Sequence, residues 1–196
     1  MKKWMAVCLI TAVIAASISA CSSQGPKEND AGERGAATFE QLNNEKAEQG
    51  MTEMFSSLMS LKLPQGLEVQ SKETTQSKLV FADRTKKVKL EIQHDPEQKV
   101  SDSQIDMARL KLKAFFEQDN LGVTLEWLKD ETQLVHGKNI AVNEVIIPSK
   151  KGNDTYHFKA WAELDGALLE IDFTAPTNMK DEWQNSVHEM IESIQM

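Results

Sequence analysis

The chain has 196 residues, with 30 Asp and Glu against 22 Lys and Arg, giving a formal net charge of −8. That acidic balance argues against nucleic acid and against electrostatic docking on anionic lipid, since both need clustered Lys and Arg. The length suits one domain with a packed core, plus a tail.

Lys2 and Lys3 precede a nearly all-apolar run from Met5 to Ala16, and small residues follow, the pattern of a secretory signal peptide. A membrane-spanning helix is the rival reading. Trp4–Ala20 lies at the short limit for crossing a bilayer and is diluted by Ser17 and Ser19. The segment closes on Ile18-Ser19-Ala20-Cys21 and resembles a bacterial lipoprotein signal with its four-residue lipobox. That resemblance implies that residues 1–20 are a signal peptide and that Cys21 carries lipid on its thiol and new amino group. An ordinary cleaved signal with a chance cysteine is the alternative. The membrane relation is therefore anchorage through Cys21 rather than spanning. Ser22, unlike Asp, does not resemble an inner-membrane retention signal, which leaves outer-membrane sorting open in a cell with two membranes.

Loss of Lys2 and Lys3 with the leader takes the charge from −8 to −10. Cys8 leaves with it and Cys21 is spent on lipid. The mature domain then has no cysteine for a disulfide, a thiol nucleophile or a thiolate metal site. Residues 21–38 form the lipidated Cys and a tether. The run after Cys21 is rich in Gly and polar residues, has no large apolar side chain, and cannot offset its own ordering entropy. About 17 flexible residues reach roughly 20–25 Å. Residues 39–196 read as a single domain.

In that domain Met51, Met54, Phe55, Leu58 and Met59 follow i, i+3, i+4, i+7, i+8 spacing, which predicts an amphipathic helix ended by Pro64. Lys78–Asp83 and Val88–Ile92 alternate as two strands around a turn at Asp83–Lys87. Ser101 to Gln104 is a capping box for a helix whose buried stripe is Ile105, Ala108, Leu112, Phe115 and Phe116, with a stop at Asn120–Gly122. Strands are expected near Val123–Lys129, Thr132–His136, Asn139–Ile147, Thr155–Leu164 and Ala167–Thr174. Hairpin turns fall at His136–Asn139, Lys151–Asp154 and Asp165-Gly166. Pro176 ends the last strand, and Asn178 caps a final helix with the stripe Trp183, Val187, Met190, Ile191 and Ile194. Consecutive hairpins and apolar helix stripes define an α+β class, an antiparallel sheet flanked by helices.

Leu61-Lys62-Leu63-Pro64-Gln65-Gly66-Leu67, the ribbon, helix and meander that follow, and Leu169–Pro176 leading to Ile191-Glu192-Ser193-Ile194 resemble the DcrB/PsbP superfamily over roughly residues 60–195. The resemblance implies an α/β/α sandwich and a binding, scaffolding or chaperone-like role. It supplies no shared active site. The Met-rich segment before residue 60 is read as an addition to the shared fold.

No Gly-x-Ser-x-Gly elbow, phosphate loop or His-x-x-x-His spacing occurs, so the expectation is a non-enzyme without metal or cofactor. His188 stands four residues before Glu192, a spacing at which the two could touch, although such pairs are usually solvated surface. On Thr155–Leu164, Tyr156, Phe158, Ala160 and Ala162 share a core face, while His157, Lys159, Trp161 and Glu163 share the other. Trp161 and Leu168 then lie on a mixed face. It is covered by the Met-rich segment, or, if Met54, Phe55 and Met59 lift away, it is the partner site. The function expected is an accessory or assembly module binding an envelope protein. The alternatives are an immunity-type or chaperone-like lipoprotein sequestering a secreted effector, and a small-molecule or lipid binder with a closed apolar pocket.

Overall fold

The structure, a computed structural model, describes residues 50–149 and 152–196. The leader, Cys21 and the tether lie outside the described residues. The first described element departs from the expected helix. Met51–Met54 (β1) and Met59–Lys62 (β2) form a hairpin, paired Met51 to Lys62 and Met54 to Met59. The same residues satisfy both periods: Met59 and Leu61 alternate inward, and Met54 faces Met59 across the ladder. The reversal runs through Phe55, Ser56 and Ser57, all left-handed at φ 52°, 57° and 67°. No helix continues through such a stretch, which costs non-glycine residues about 1–2 kcal/mol each. Leu58 N–H to Phe55 O (3.2 Å) and the Ser57 hydroxyl to Glu53 (2.9 Å) hold it closed.

Seven strands make the main sheet: β3 (Glu68–Val69), β4 (Lys78–Asp83), β5 (Val88–Lys99), β6 (Glu126–Val135), β7 (Lys138–Ile147), β8 (Thr155–Leu164) and β9 (Ala167–Pro176). Their order is β3-β4-β5-β9-β8-β7-β6, antiparallel throughout. The two strands expected at 123–136 are one strand, β6, interrupted by a bulge between Trp127 and Lys129. The two-residue turns His136-Gly137 and Asp165-Gly166 have positive φ at both positions, as tight hairpins of right-handed twist require.

The expected capping box, with Ser101 N–H donating to Gln104 Oε1 at 3.1 Å, opens a 3₁₀ turn at Asp102–Gln104 that runs directly into Ile105–Asp119 (α1). Asn120 closes it through bonds to Phe116 O. Asn178 is not the cap of the last helix. A 3₁₀ turn at Thr177–Met179 intervenes, and Lys180–Glu192 (α2) begins with Met179 at its N-cap.

The two helices cover opposite faces of the sheet. One face packs Leu90, Ile92, Phe158, Leu169, Ile171 and Phe173 against Trp183, Val187, Met190 and Ile191 of α2 and against Met54, Met59 and Leu61. The chain end Gln195 exchanges two 2.9 Å backbone bonds with Ser60, stitching β2 beside α2. The other face packs Ala141, Trp161 and Leu168 under Ile105, Ala108 and Leu112 of α1.

On the α2 side the apolar layer contains one charged residue. Glu144 is 1% exposed and its carboxylate accepts from Tyr156 Oη (2.9 Å), His188 Nε2 (3.0 Å) and Gln184 Nε2. His188 therefore pairs across to the sheet, with Glu144 rather than with Glu192 on its own helix. Burial pushes the Glu144 carboxyl up, but the donors from His188, Tyr156 and Gln184 outweigh it and hold the carboxyl below its ordinary range. A carboxyl lowered by folding stabilises the fold above the unfolded carboxylate range, about pH 4–5. That stabilisation disappears as pH falls through the folded value. Glu144→Ala is expected to cost about 3 kcal/mol, because it orphans the buried Tyr156 hydroxyl and two partly buried donors, Gln184 and His188. It should also flatten the acid limb of stability. Urea midpoints measured from pH 7 to pH 3 check both.

Candidate protein-binding surface

The five apolar residues expected to form a site do not share a surface. Met54 and Met59 are buried on the α2 side, and Phe55 is half-buried with its ring 5.7 Å from that of His94. Trp161 and Leu168, 8% and 4% exposed, lie on the opposite face. The element covering them is α1, not the Met-rich segment, which the sheet itself separates from them. The reason is the hairpin: β1 and β2 are tied to the C-terminal residues and so stay on the face of α2.

The outer face of α1 is where the structure is unusual. Among the described residues, the exposed large apolar side chains are Leu58 and then Met107, Leu110, Phe115, Leu121, Leu128 and Leu134. All but Leu58 belong to α1, the loop after it, or β6. On α1 they follow a second stripe. Met107, Leu110, Ala114 and Phe115 stand at i, i+3, i+7 and i+8, about a third of a turn from the buried Ile105–Ala108–Leu112 line. Phe115, expected in the core, is 56% exposed and Met107 is 58% exposed. The helix lies over β6, β7 and β8. On its other side the neighbouring sheet face is polar: Lys159 pairs with Glu170 (2.5 Å) and Asp172 (3.3 Å), so Phe115 finds no apolar partner there.

The flank of α1 toward β6 is bolted down by charge. Asp130 of β6 receives Arg109 Nη1 (2.5 Å), Lys113 Nζ (2.7 Å) and Asn143 Nδ2 (3.1 Å), and Asp106 receives Arg109 Nε (2.9 Å) and Thr132 (2.8 Å). Burial raises the Asp130 carboxyl, but Lys113 and Arg109 outweigh it and keep it low. Phe116 packs edge-on to Trp127 and His157, at 6.0 and 5.8 Å between centroids, and burial lowers the His157 pKa. The two cations of this flank are thus consumed internally. Lys111, in the middle of the outer stripe, is exposed and has no carboxylate partner among the described residues.

The buried cluster around Glu144 went unseen in the sequence, although Asn143-Glu144 interrupts the apolar run of β7 and was a readable signal. The Glu144 carboxylate is enclosed and filled by three donors, an anchor for α2 rather than a reactive group. Among the described residues no group of three His, Cys, Asp or Glu is placed to hold a metal ion. No helix among them is long and apolar enough to cross a membrane.

A seven-stranded antiparallel sheet with one helix on each face is an α+β architecture of the PsbP-like and Mog1-like kind. No protein-family profile matches the sequence, and no curated protein does. Solved structures do. Cyanobacterial PsbP (CyanoP) from Synechocystis superposes with a TM-score of 0.53 at 11% identity, covering 74% of this chain and 91% of that one. The Ran-binding protein Mog1p of Saccharomyces cerevisiae superposes with a TM-score of 0.51 at 13% identity, covering 74% of this chain and 93% of that one. At such identities the likeness is one of fold.

Trp161 and Phe115 separate core from surface experimentally. Trp161→Ala should cost about 3 kcal/mol or more, because it empties the layer under α1. Phe115→Ala should change stability by about 0.5 kcal/mol or less. Denaturant unfolding of the two variants checks the contrast.

Proposed function

We propose that this protein is a membrane-anchored extracytoplasmic lipoprotein whose domain binds another protein and catalyses nothing. Cys21 carries the lipid, and the outer stripe of α1 is the docking surface. The observation that carries the reading is that stripe: four apolar side chains at helical spacing, left in solvent on a helix already anchored by another face. Its chemistry fits a partner that lays an apolar ridge along Met107, Leu110 and Phe115 and brings a carboxylate to Lys111. That one solved structure of this fold is a Ran-binding protein supports protein binding as a use of the architecture. The closed apolar pocket that a lipid-binding role needs is not supplied by the recess between Lys62–Gln65 and α2. It is open, and Glu182, Glu189 and Lys62 line it.

A photo-crosslinker placed at Leu110 in native membranes should capture one envelope or secreted protein. Phe115→Glu should abolish that capture while leaving the melting temperature unchanged. Capture that survives Phe115→Glu, or none at all, removes the docking surface. Separately, Cys21→Ser should move the chain from the membrane to the soluble fraction, and persistence in the membrane removes the anchor.

A further inference from the structure

We propose that the tip of the β4–β5 hairpin is a binding site for a phosphate group, held by Arg84 with Lys87. Arg84-Thr85-Lys86-Lys87-Val88-Lys89 places four cations within six residues of a chain whose net charge is −8. The fold then sorts them. Asp83 Oδ1 accepts from Thr85 N (2.9 Å), Thr85 Oγ1 (2.6 Å) and Lys86 N (3.1 Å), which closes the turn, and Lys87 reverses the chain at φ 58°. Lys86 is directed away, onto Glu182 at 2.5 Å and over the Trp183 ring at 5.6 Å. Arg84 and Lys87 instead face a surface recess of about 420 Å³, which Gln70, Glu73, Asp83 and Lys89 also line.

Arg84 is held by a built support. Gln70 is 9% exposed; its Nε2 donates to Glu68 O at 2.8 Å, and its Oε1 accepts from Arg84 Nε at 2.8 Å. A neutral amide thus fixes the guanidinium without cancelling its charge, as a carboxylate in the same place would. Both Nη atoms are left without a protein acceptor among the described bonds. The carboxylates of the recess are already engaged, Asp83 with its turn and Glu73 at 3.4 Å from Lys89, which also pairs with Glu91 at 2.8 Å and is thereby spent. A planar fork with the Lys87 ammonium beside it suits a tetrahedral anion, because the fork takes two oxygens and the lysine reaches a third. A flat carboxylate would use the fork alone.

The phosphate belongs either to a soluble monoester or to a lipid headgroup, and the test has an arm for each. The full chain, carrying Cys21→Ser so that acyl chains do not mask binding, is titrated with inorganic phosphate and, separately, with sodium chloride at matched ionic strength. The Arg84 Nε–H and the Lys87 and Val88 amides are followed by NMR. Saturable shifts with phosphate alone are expected, weakened about tenfold or more by Arg84→Gln and less by Lys87→Gln. Both positions are exposed, so neither change threatens the fold. In the second arm, co-sedimentation compares phosphatidylcholine vesicles with and without phosphatidic acid. Recruitment that depends on phosphatidic acid and on Arg84 assigns a headgroup, and phosphate binding without recruitment assigns a soluble monoester. Shifts that do not saturate, that chloride reproduces, or that persist in Arg84→Gln overturn the site.

Discussion

Side chains along β8 and β9 alternate between two buried faces, and the rest of the molecule depends on that register. Phe158, Ala160, Leu169, Ile171 and Phe173 point toward α2, while Trp161 and Leu168 point toward α1. A slip of one residue would turn the first set out from under α2 and put Lys159, Glu170 and Asp172 in its place. The tight turn at Asp165-Gly166 pins the register locally, and pairing of β5 with β9 pins it from the other side. Burial on both faces makes this central pair the part of the sheet least able to rearrange.

Each helix is then fixed by a different kind of bond to the same sheet. α2 closes over a buried carboxylate that needs three donors, two of them its own, so its position on β7 and β8 is set by direction as well as by apolar contact. α1 is fixed along one flank by the Arg109–Asp130–Lys113 pairs, which are partly exposed and directional rather than strongly stabilising. The outer stripe of α1 is consequently presented on a rigid support, at little ordering cost to anything that binds it.

The parts of the fold legible in sequence were those with one dominant period. Val88, Leu90 and Ile92 alternate without ambiguity, and the glycine-bearing turns mark the meander. The assignment of side chains to the two faces of β8 and β9 followed from alternation alone. Met51–Met59 failed because its few apolar residues fit both helical and hairpin spacing, and nothing local reveals that Phe55–Ser57 take left-handed angles without a glycine. Phe115, expected on the buried stripe, stands in solvent instead, because its exposure depends on the polar character of the sheet face beside α1, a fact of tertiary placement. Arg84 and Gln70 are fourteen positions apart and meet only once β4 returns beside the loop after β3. The candidate surfaces were less legible than the fold for that reason: each is defined by what other elements leave uncovered.

The ends of the sheet have a consequence for life at high density. β3 offers only two residues at one edge. At the other, β6 is long but carries a bulge and the charged run Lys129-Asp130-Glu131. Neither edge is a good template for another strand. On the proposed anchorage through Cys21, chains crowded on a bilayer would meet edge to edge far more often than in free solution. With both edges blunted, such encounters would end in separation instead of sheet growth.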